Sequence, residues 1–303
     1  MLRVRQQVGC SDEITTDCGK RGVTIAILDT GIAFHPDFDN RIIAFKDFVN
    51  GKRGAYDDSG HGTHVAGCLC GSGLISLGKY RGIAPYSRLV IGKVLDRNGD
   101  GQIENMVRGL EWILKQQREL DIRILNISIG MGEVRQKEHM KRLLELISEA
   151  WKQGLIVVCA AGNMGPEPMT VSLLGAGKEV ITVGCHDGGY FGNKVHLCER
   201  YSGRGPSQYA LKKPDVVAPG TDIISCNARI EKIGRYYRKA YIVKSGTSMA
   251  TPVVSGGLAL LLQKYPALNN EQAKQKLLYT ARDLNEPWSK QGWGMIQIDR
   301  LLK

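Results

Sequence analysis

Five short runs rich in β-branched residues, separated by stretches whose apolar residues recur at helical spacing, constrain the fold of this chain more than any other feature. Residues 22–29 (GVTIAILD), 88–95 (RLVIGKVL), 122–130 (IRILNISIG), 154–162 (GLIVVCAAG) and 179–184 (EVITVG) are nearly continuous in apolar character. Strands read this way when helices cover both faces of a parallel sheet. Between the runs, Ile103, Met106, Val107, Leu110, Ile113 and Leu114 keep helical spacing, as do Leu143, Leu144, Ile147 and Trp151. The pattern predicts an α/β fold in three layers, with a mostly parallel central sheet and helices on both faces. Towards the end, Ser248 to Tyr265 reads as a long buried helix with Pro252 in its first turn, and Asn269 to Ala281 as an amphipathic one. No linker, repeat or shift in composition divides the chain, so residues 1–21 are expected to be a short N-terminal extension and 22–303 one domain.

Composition narrows the functional classes. With 41 Lys and Arg against 30 Asp and Glu the chain carries a formal charge of +11, which raises nucleic acid as a partner. The basic residues are scattered, however, and the densest patches, Gly234 to Lys239 and Leu211 to Lys213, match no nucleic-acid-binding motif. No nucleic-acid partner is expected. No apolar run approaches the ~18 residues of a membrane span, and the opening residues are too polar for a secretory signal. The expectation is a protein that is cytoplasmic and off the membrane. Its eight cysteines are expected to be reduced thiols, with Cys159 a small buried hydrophobe inside LIVVCAAG. Cys10 and Cys18 are the pair nearest to an exception.

Chemistry-bearing residues collect where open parallel sheets bind ligands, beyond the carboxyl ends of the strands. Asp29 ends the first strand in ILDTGIAFHPD, and His61 stands where DDSGHGTHVAG turns to a helix. Asn163 ends a later strand in CAAGNMG, and Ser248 opens the long helix in KSGTSMATP. An acid, an imidazole, an amide and a hydroxyl on one rim suit acyl transfer. A serine hydroxyl attacks only when a neighbouring base takes its proton. His61 is the candidate base and Asp29 the group that orients it. Asn163 adds a donor where an oxyanion would form.

The order Asp, His, Ser with the flanks DTGI…HPD, GHGTHVAG, AAGN and SGTSMATP resembles the subtilisin-like serine proteases, the subtilase family. The likeness runs from about Gly22 to the GWGMIQIDRLL segment, and its character is closest to the intracellular bacterial branch, so no separately folding propeptide is expected before Val23. The resemblance implies a serine endopeptidase acting on polypeptides with broad specificity, with Asp29, His61 and Ser248 as triad and Asn163 as oxyanion donor. It also implies that Gly99, Asp100 and Gly101 form one wall of a substrate cleft and Ser128, Ile129 and Gly130 the other. The side-chain pocket then lies between SIG and AAGN, beside Ala161 and Gly162. A subtilase-fold binding or regulatory protein without catalysis is the alternative.

Three metal readings arise. DRNGDGQIENMV, Asp96 to Val107, imitates an EF-hand loop, but Val107 occupies the position of the bidentate carboxylate and a strand precedes the loop. His61, His64 and Cys68 imitate a zinc cluster without a fourth ligand, and zinc on His61 would remove the base. Asp37 matches a calcium ligand of many relatives, yet GSGLISLGKYRGIAP, expected to complete that site, offers no Asn or Asp and carries Lys79 and Arg81. No metal or other cofactor is therefore assigned. His64 is expected to be a packed, hydrogen-bonded neighbour of the site, and Cys68 to confer sensitivity to thiol reagents.

Overall fold

The computed structural model describes residues 1–19, 21–130, 137–190 and 197–303. Seven parallel strands form the central sheet: β1 (Thr24–Asp29), β2 (Ile42–Asp47), β3 (Arg88–Lys93), β4 (Ile122–Ile127), β5 (Ile156–Ala160), β6 (Ile181–Cys185) and β7 (Val216–Ala218), in the order β2-β3-β1-β4-β5-β6-β7. The five expected strands are all present, each shorter than its apolar run, with β6 reaching one residue further, to Cys185. β2 was not foreseen because IIAFKD lies on the sheet edge and is only partly buried. β7 was not foreseen because it is three residues long between Pro214 and Pro219.

The helices α3 (His61–Cys70) and α6 (Thr247–Lys264) pack on each other over one face of the sheet, and α4 (Ile103–Gln116) and α5 (Lys137–Lys152) pack on each other over the opposite face. α6 is buried along nearly its whole length against β4 to β7, as an all-round apolar helix must be. Pro252 is its sixth residue, in the second turn rather than the first. Its missing N–H leaves the Ser248 carbonyl without a helical donor. α7 (Asn270–Thr280) opens on a capping box in which Asn269 and Gln272 satisfy each other's backbone N–H groups.

The N-terminal extension is part of the same packed body. Helices α1 (Leu2–Gln7) and α2 (Asp12–Asp17) bring Met1, Val4, Val8, Cys10 and Cys18 into the common core. The Ile298 N–H donates to the Val8 carbonyl at 2.7 Å, and the Arg3 guanidinium lies 3.8 Å from the centre of the Tyr190 ring. All eight cysteines, Cys10 and Cys18 included, are free and buried. No helix among the described residues is long and apolar enough to cross a membrane.

A small antiparallel ladder of β8 (Ile223–Cys226) and β11 (Tyr241–Lys244) lies across the first turn of α3. The His64 Nε2–H donates to the carbonyls of both strands, Ile223 at 2.9 Å and Ile242 at 3.2 Å. Between the two strands the chain makes an exposed hairpin, β9 (Glu231–Ile233) with β10 (Tyr236–Arg238).

Candidate active site

β1 lies between β3 and β4, the place where strand order changes direction and where open α/β sheets bind ligands. Asp29 is the last residue of β1 and is fully buried. Its Oδ1 accepts from the Thr30 N–H at 2.7 Å and lies 2.7 Å from His61 Nδ1. A carboxylate only accepts, so Nδ1 carries the proton and Nε2 is left as the basic nitrogen. No hydrogen bond occupies Nε2 among the described residues.

His61 is the first residue of α3, after Gly60 in the left-handed region at φ 84°. Asp57 holds this turn. Its Oδ1 accepts from the Thr30 hydroxyl (2.8 Å), the Gly60 N–H (2.7 Å) and the Ser59 N–H (3.2 Å), while Oδ2 accepts from the Thr63 N–H (2.8 Å) and hydroxyl (2.6 Å). Lys93, buried at the end of β3, ties the same rim together by donating to Thr30 O, Leu95 O and Asp58 Oδ1. Neither residue was foreseen. For Asp57 a signal existed, an Asp a few residues before a helix start.

Ser248 is the second residue of α6 and half-buried. Gly246, at φ 147°, turns the chain into the helix while its N–H donates to Gly220 O at 3.0 Å. A Cβ there would come 3.5 Å from Asn163 Nδ2. The Asn163 amide has one orientation, because its Oδ1 accepts from the Thr247 N–H at 3.1 Å and the Thr247 hydroxyl at 3.0 Å. That leaves Nδ2 as a donor beside the first turn of α6. His61 meets the end of β1 through Asp29, and the start of α6 meets Asn163 just beyond β5, so both helix starts lie at the carboxyl rim of the sheet. No hydrogen bond joins Ser248 Oγ to His61 among the described residues, a contact that substrate-free sites commonly leave long.

The His61 ring keeps 25% of its side-chain surface exposed. Burial favours its neutral form, but the charge of Asp29 and the hydrogen bond to it outweigh burial and hold the pKa above the ordinary 6.5. Lys244 pulls in the opposite direction and Asp57 with Asp29. His64, one turn on, is neutral: burial brings it down to about 3. Its Nε2 is spent on backbone carbonyls and its Nδ1 faces Cys68 Sγ at 3.7 Å, so His64 and Cys68 form no ligand pair with His61. Cys68 has no exposed surface, and burial pushes its thiol up to about 11. The expected sensitivity to thiol reagents is therefore corrected, since only an exposed thiolate reacts.

The wall residues fall on loops following β3, β4 and β5. Asp96 folds the 96–101 loop around its own carboxylate, Oδ1 accepting from the N–H groups of Asn98 (2.8 Å) and Asp100 (3.0 Å). Gly99 and Asp100 are exposed at its tip, with Gly101 beside Leu95. Ser128 and Ile129 are buried at the end of β4, and Gly130 is exposed. The Ser128 hydroxyl accepts from the Asn126 amide at 2.9 Å, so that side chain serves the scaffold. Ala161 is buried, and Gly162, at φ 88°, lies against Gly130, whose Cβ would come 3.4 Å from its Cα. A cavity of about 540 Å³ opens there, lined by Gly130, Gly162, Asn163, Met164, Met169 to Leu173 and Gln208. Among the described residues, no charged side chain lines it.

The Asp37 carboxylate is occupied by donors. Its oxygens accept from the Gly73 N–H (3.1 Å), the Ile75 N–H (3.3 Å), the Tyr241 hydroxyl (2.9 Å) and the Cys226 thiol (3.7 Å). Calcium takes oxygen ligands only. Here the loop presents N–H groups instead, and the residues do not fit that ion. Among the described residues, His35, Asp37 and Cys226 are the group whose potential ligand atoms come within reach of one ion.

Comparison with known proteins bears on this geometry. Residues 20–294 match the model of the Subtilase family. The chain is 41% identical over 268 residues to serine protease AprX of Bacillus subtilis, covering 85% of this chain and 60% of that protein's length. It is 34% identical over 263 residues to subtilisin Savinase of Lederbergia lenta (87% and 84% covered), and 36% over 250 residues to the major intracellular serine protease of Bacillus subtilis (80% and 68%). Among solved structures, Sphericase superposes with a TM-score of 0.77 at 26% identity, with 92% of each chain covered.

Proposed function

The chain belongs to the subtilase family of serine peptidases, and from that premise we propose that it is an endopeptidase cleaving peptide bonds through Ser248, His61 and Asp29. The observation that carries the reading is the 2.7 Å contact of Asp29 Oδ1 with His61 Nδ1, which leaves Nε2 as base at the rim where α6 begins.

In this reading Ser248 Oγ attacks the substrate carbonyl carbon as its proton passes to His61 Nε2. The charge that develops on the carbonyl oxygen meets Asn163 Nδ2, already held by Thr247, and the backbone N–H groups of the first turn of α6. Collapse breaks the C–N bond, with His61 returning its proton to the leaving amine. A water then hydrolyses the acyl-enzyme with His61 again as base.

Substrate backbone would continue the sheet. β3 and β4 both flank β1, so their extensions stand roughly 9–10 Å apart, two strand spacings. β1 stops at Asp29, and an extended peptide between the 99–101 loop and residues 128–130 occupies the slot it vacates. Main-chain pairing tolerates many sequences, which supports broad specificity. The cavity beside Gly162, whose described lining carries no charge, suits an apolar side chain before the scissile bond. Because the carboxylate of Asp37 is filled by N–H and O–H donors, no calcium is assigned to it.

A fluorophosphonate probe, which reacts only with an activated serine, tests the reading. Labelling of the wild type and none of Ser248→Ala supports it. An unlabelled wild type that also leaves a diverse peptide library intact would instead make the chain a binding protein on this fold.

A further inference from the structure

The most basic stretch of the chain bears on the same cleft. From Asn227 to Ala240 there are five basic residues and one acid, and the acid, Glu231, is already paired with Lys239 at 2.5 Å. Arg229, Lys232, Arg235 and Arg238 are exposed and make no side-chain hydrogen bond or ion pair among the described residues. Tyr236, at 79% exposed, stands among them. Such a hairpin adds nothing to the core, so its composition answers to something outside the molecule.

Its position points to what that is. The hairpin leaves the β8–β11 ladder at the Cys226–Tyr241 end, and its base, Ala228, lies where a Cβ on Gly60 would meet it at 3.5 Å, directly before His61. The other end of the ladder pairs Lys244 with Ile223, whose carbonyl is bonded to His64, one turn after His61. Lys244 is half-buried, has no hydrogen-bond or ion-pair partner among the described residues, and its charge is felt by the His61 ring. The cavity beside Gly162 lies on the opposite side, beyond Asn163. A peptide seated with its carbonyl at Asn163 and its leaving nitrogen at His61 sends its departing half towards Lys244 and the hairpin. The nearby acids are engaged: Asp58 with Lys93, Asp57 with the turn before His61, Asp29 with His61, and Asp222, beside Ile223, with the Tyr190 hydroxyl at 3.4 Å.

We propose that Lys244, reinforced by Arg229, Lys232, Arg235 and Arg238, makes the leaving-group side of the cleft selective for acidic peptide. The inference rests on the peptidase reading above. Aspartate or glutamate in the first few positions after the scissile bond is drawn to an unpaired ammonium beside His61, and lysine there is repelled.

Two internally quenched peptides decide it, identical before the scissile bond and carrying three acidic residues or three lysines after it. An anilide of the same acyl half, with no residues on the leaving side, serves as reference. The acidic peptide is expected to exceed the lysine peptide about tenfold in kcat/KM at low salt, as one charge pair at partly screened distance implies, with the ratio shrinking at high salt. Lys244→Glu should invert the ratio, and exchange of the four hairpin cations for serine should reduce it. Equal cleavage of both peptides, with the anilide still turned over, overturns the inference and leaves the peptidase reading standing. An acidic preference that persists in both variants overturns the assignment to these residues. Binding of duplex DNA by the hairpin alongside equal cleavage would make the patch a nucleic-acid surface and overturn it too. If neither peptides nor anilide are cleaved and no fluorophosphonate is taken up, the peptidase reading fails and this inference with it.

Discussion

Replacing Asp57 by asparagine isolates what holds the imidazole in place. The carboxylate accepts five hydrogen bonds, three at Oδ1 and two at Oδ2. Asparagine is the same size and keeps one oxygen, so the Oδ1 set survives without its negative charge. Its NH₂ then faces the Thr63 hydroxyl, which can rotate to accept, and the Thr63 N–H, which cannot. One buried backbone donor is left unpaired at about 1–3 kcal/mol, and lost charge assistance at the remaining bonds brings the total to roughly 2–4 kcal/mol. For a chain of this length each kcal/mol moves Tm by about 2 °C, so a fall of ~4–8 °C is expected. The assay is calorimetric melting in a Ser248→Ala background, where self-digestion cannot distort the transition. With Ser248 restored, the same substitution should lower the pH at which activity half-develops, because Asp57 supports the protonated His61. A Tm within about 1 °C of the parent, which corresponds to the ±0.5 kcal/mol of a neutral surface change, would refute the account of Asp57 as the anchor of this turn.

Four further outcomes follow from the same geometry. The kcat/KM for an uncharged peptide should rise with pH along a limb centred above 6.5, since Asp29 holds the His61 proton and only the deprotonated ring acts as base; a midpoint below 6.5 contradicts the pairing. Asn163→Ala should lower kcat by ~10²–10³ with KM little changed, a magnitude carried over from subtilisin, a member of the same family, and a loss appearing in KM alone would remove Asn163 from the oxyanion site. A bulky maleimide should label none of the eight cysteines in the native protein and all eight after denaturation, with activity unaffected by native treatment. Calcium or a chelator should leave Tm where it is; a calcium-dependent rise in Tm that disappears in Asp37→Asn would show that the loop can exchange its N–H donors for oxygen ligands.

Much of this protein is set by local pattern. Strands buried on both faces announce themselves as unbroken apolar runs, and β1, β3, β4, β5 and β6 lie where those runs fall. The start of α3 is legible because the polar loop before His61 gives way there to a helical pattern, and the candidate chemistry because reactive residue types stand at strand ends and helix starts. Position within the molecule is a different matter. Asp57 anchors the imidazole through Thr30, 27 residues away, and His64 is spent on Ile223 and Ile242, more than 150 residues on. Lys244 matters only because β11 crosses α3, and Cys68 is inert only because α3 is covered. Periodicity along a chain reports how a segment meets its immediate neighbours. Hydrogen-bond partners, dielectric and the charge felt at a ring are decided by whatever closure of the sheet and its two helical layers brings alongside, and that information is spread over the whole length of the chain.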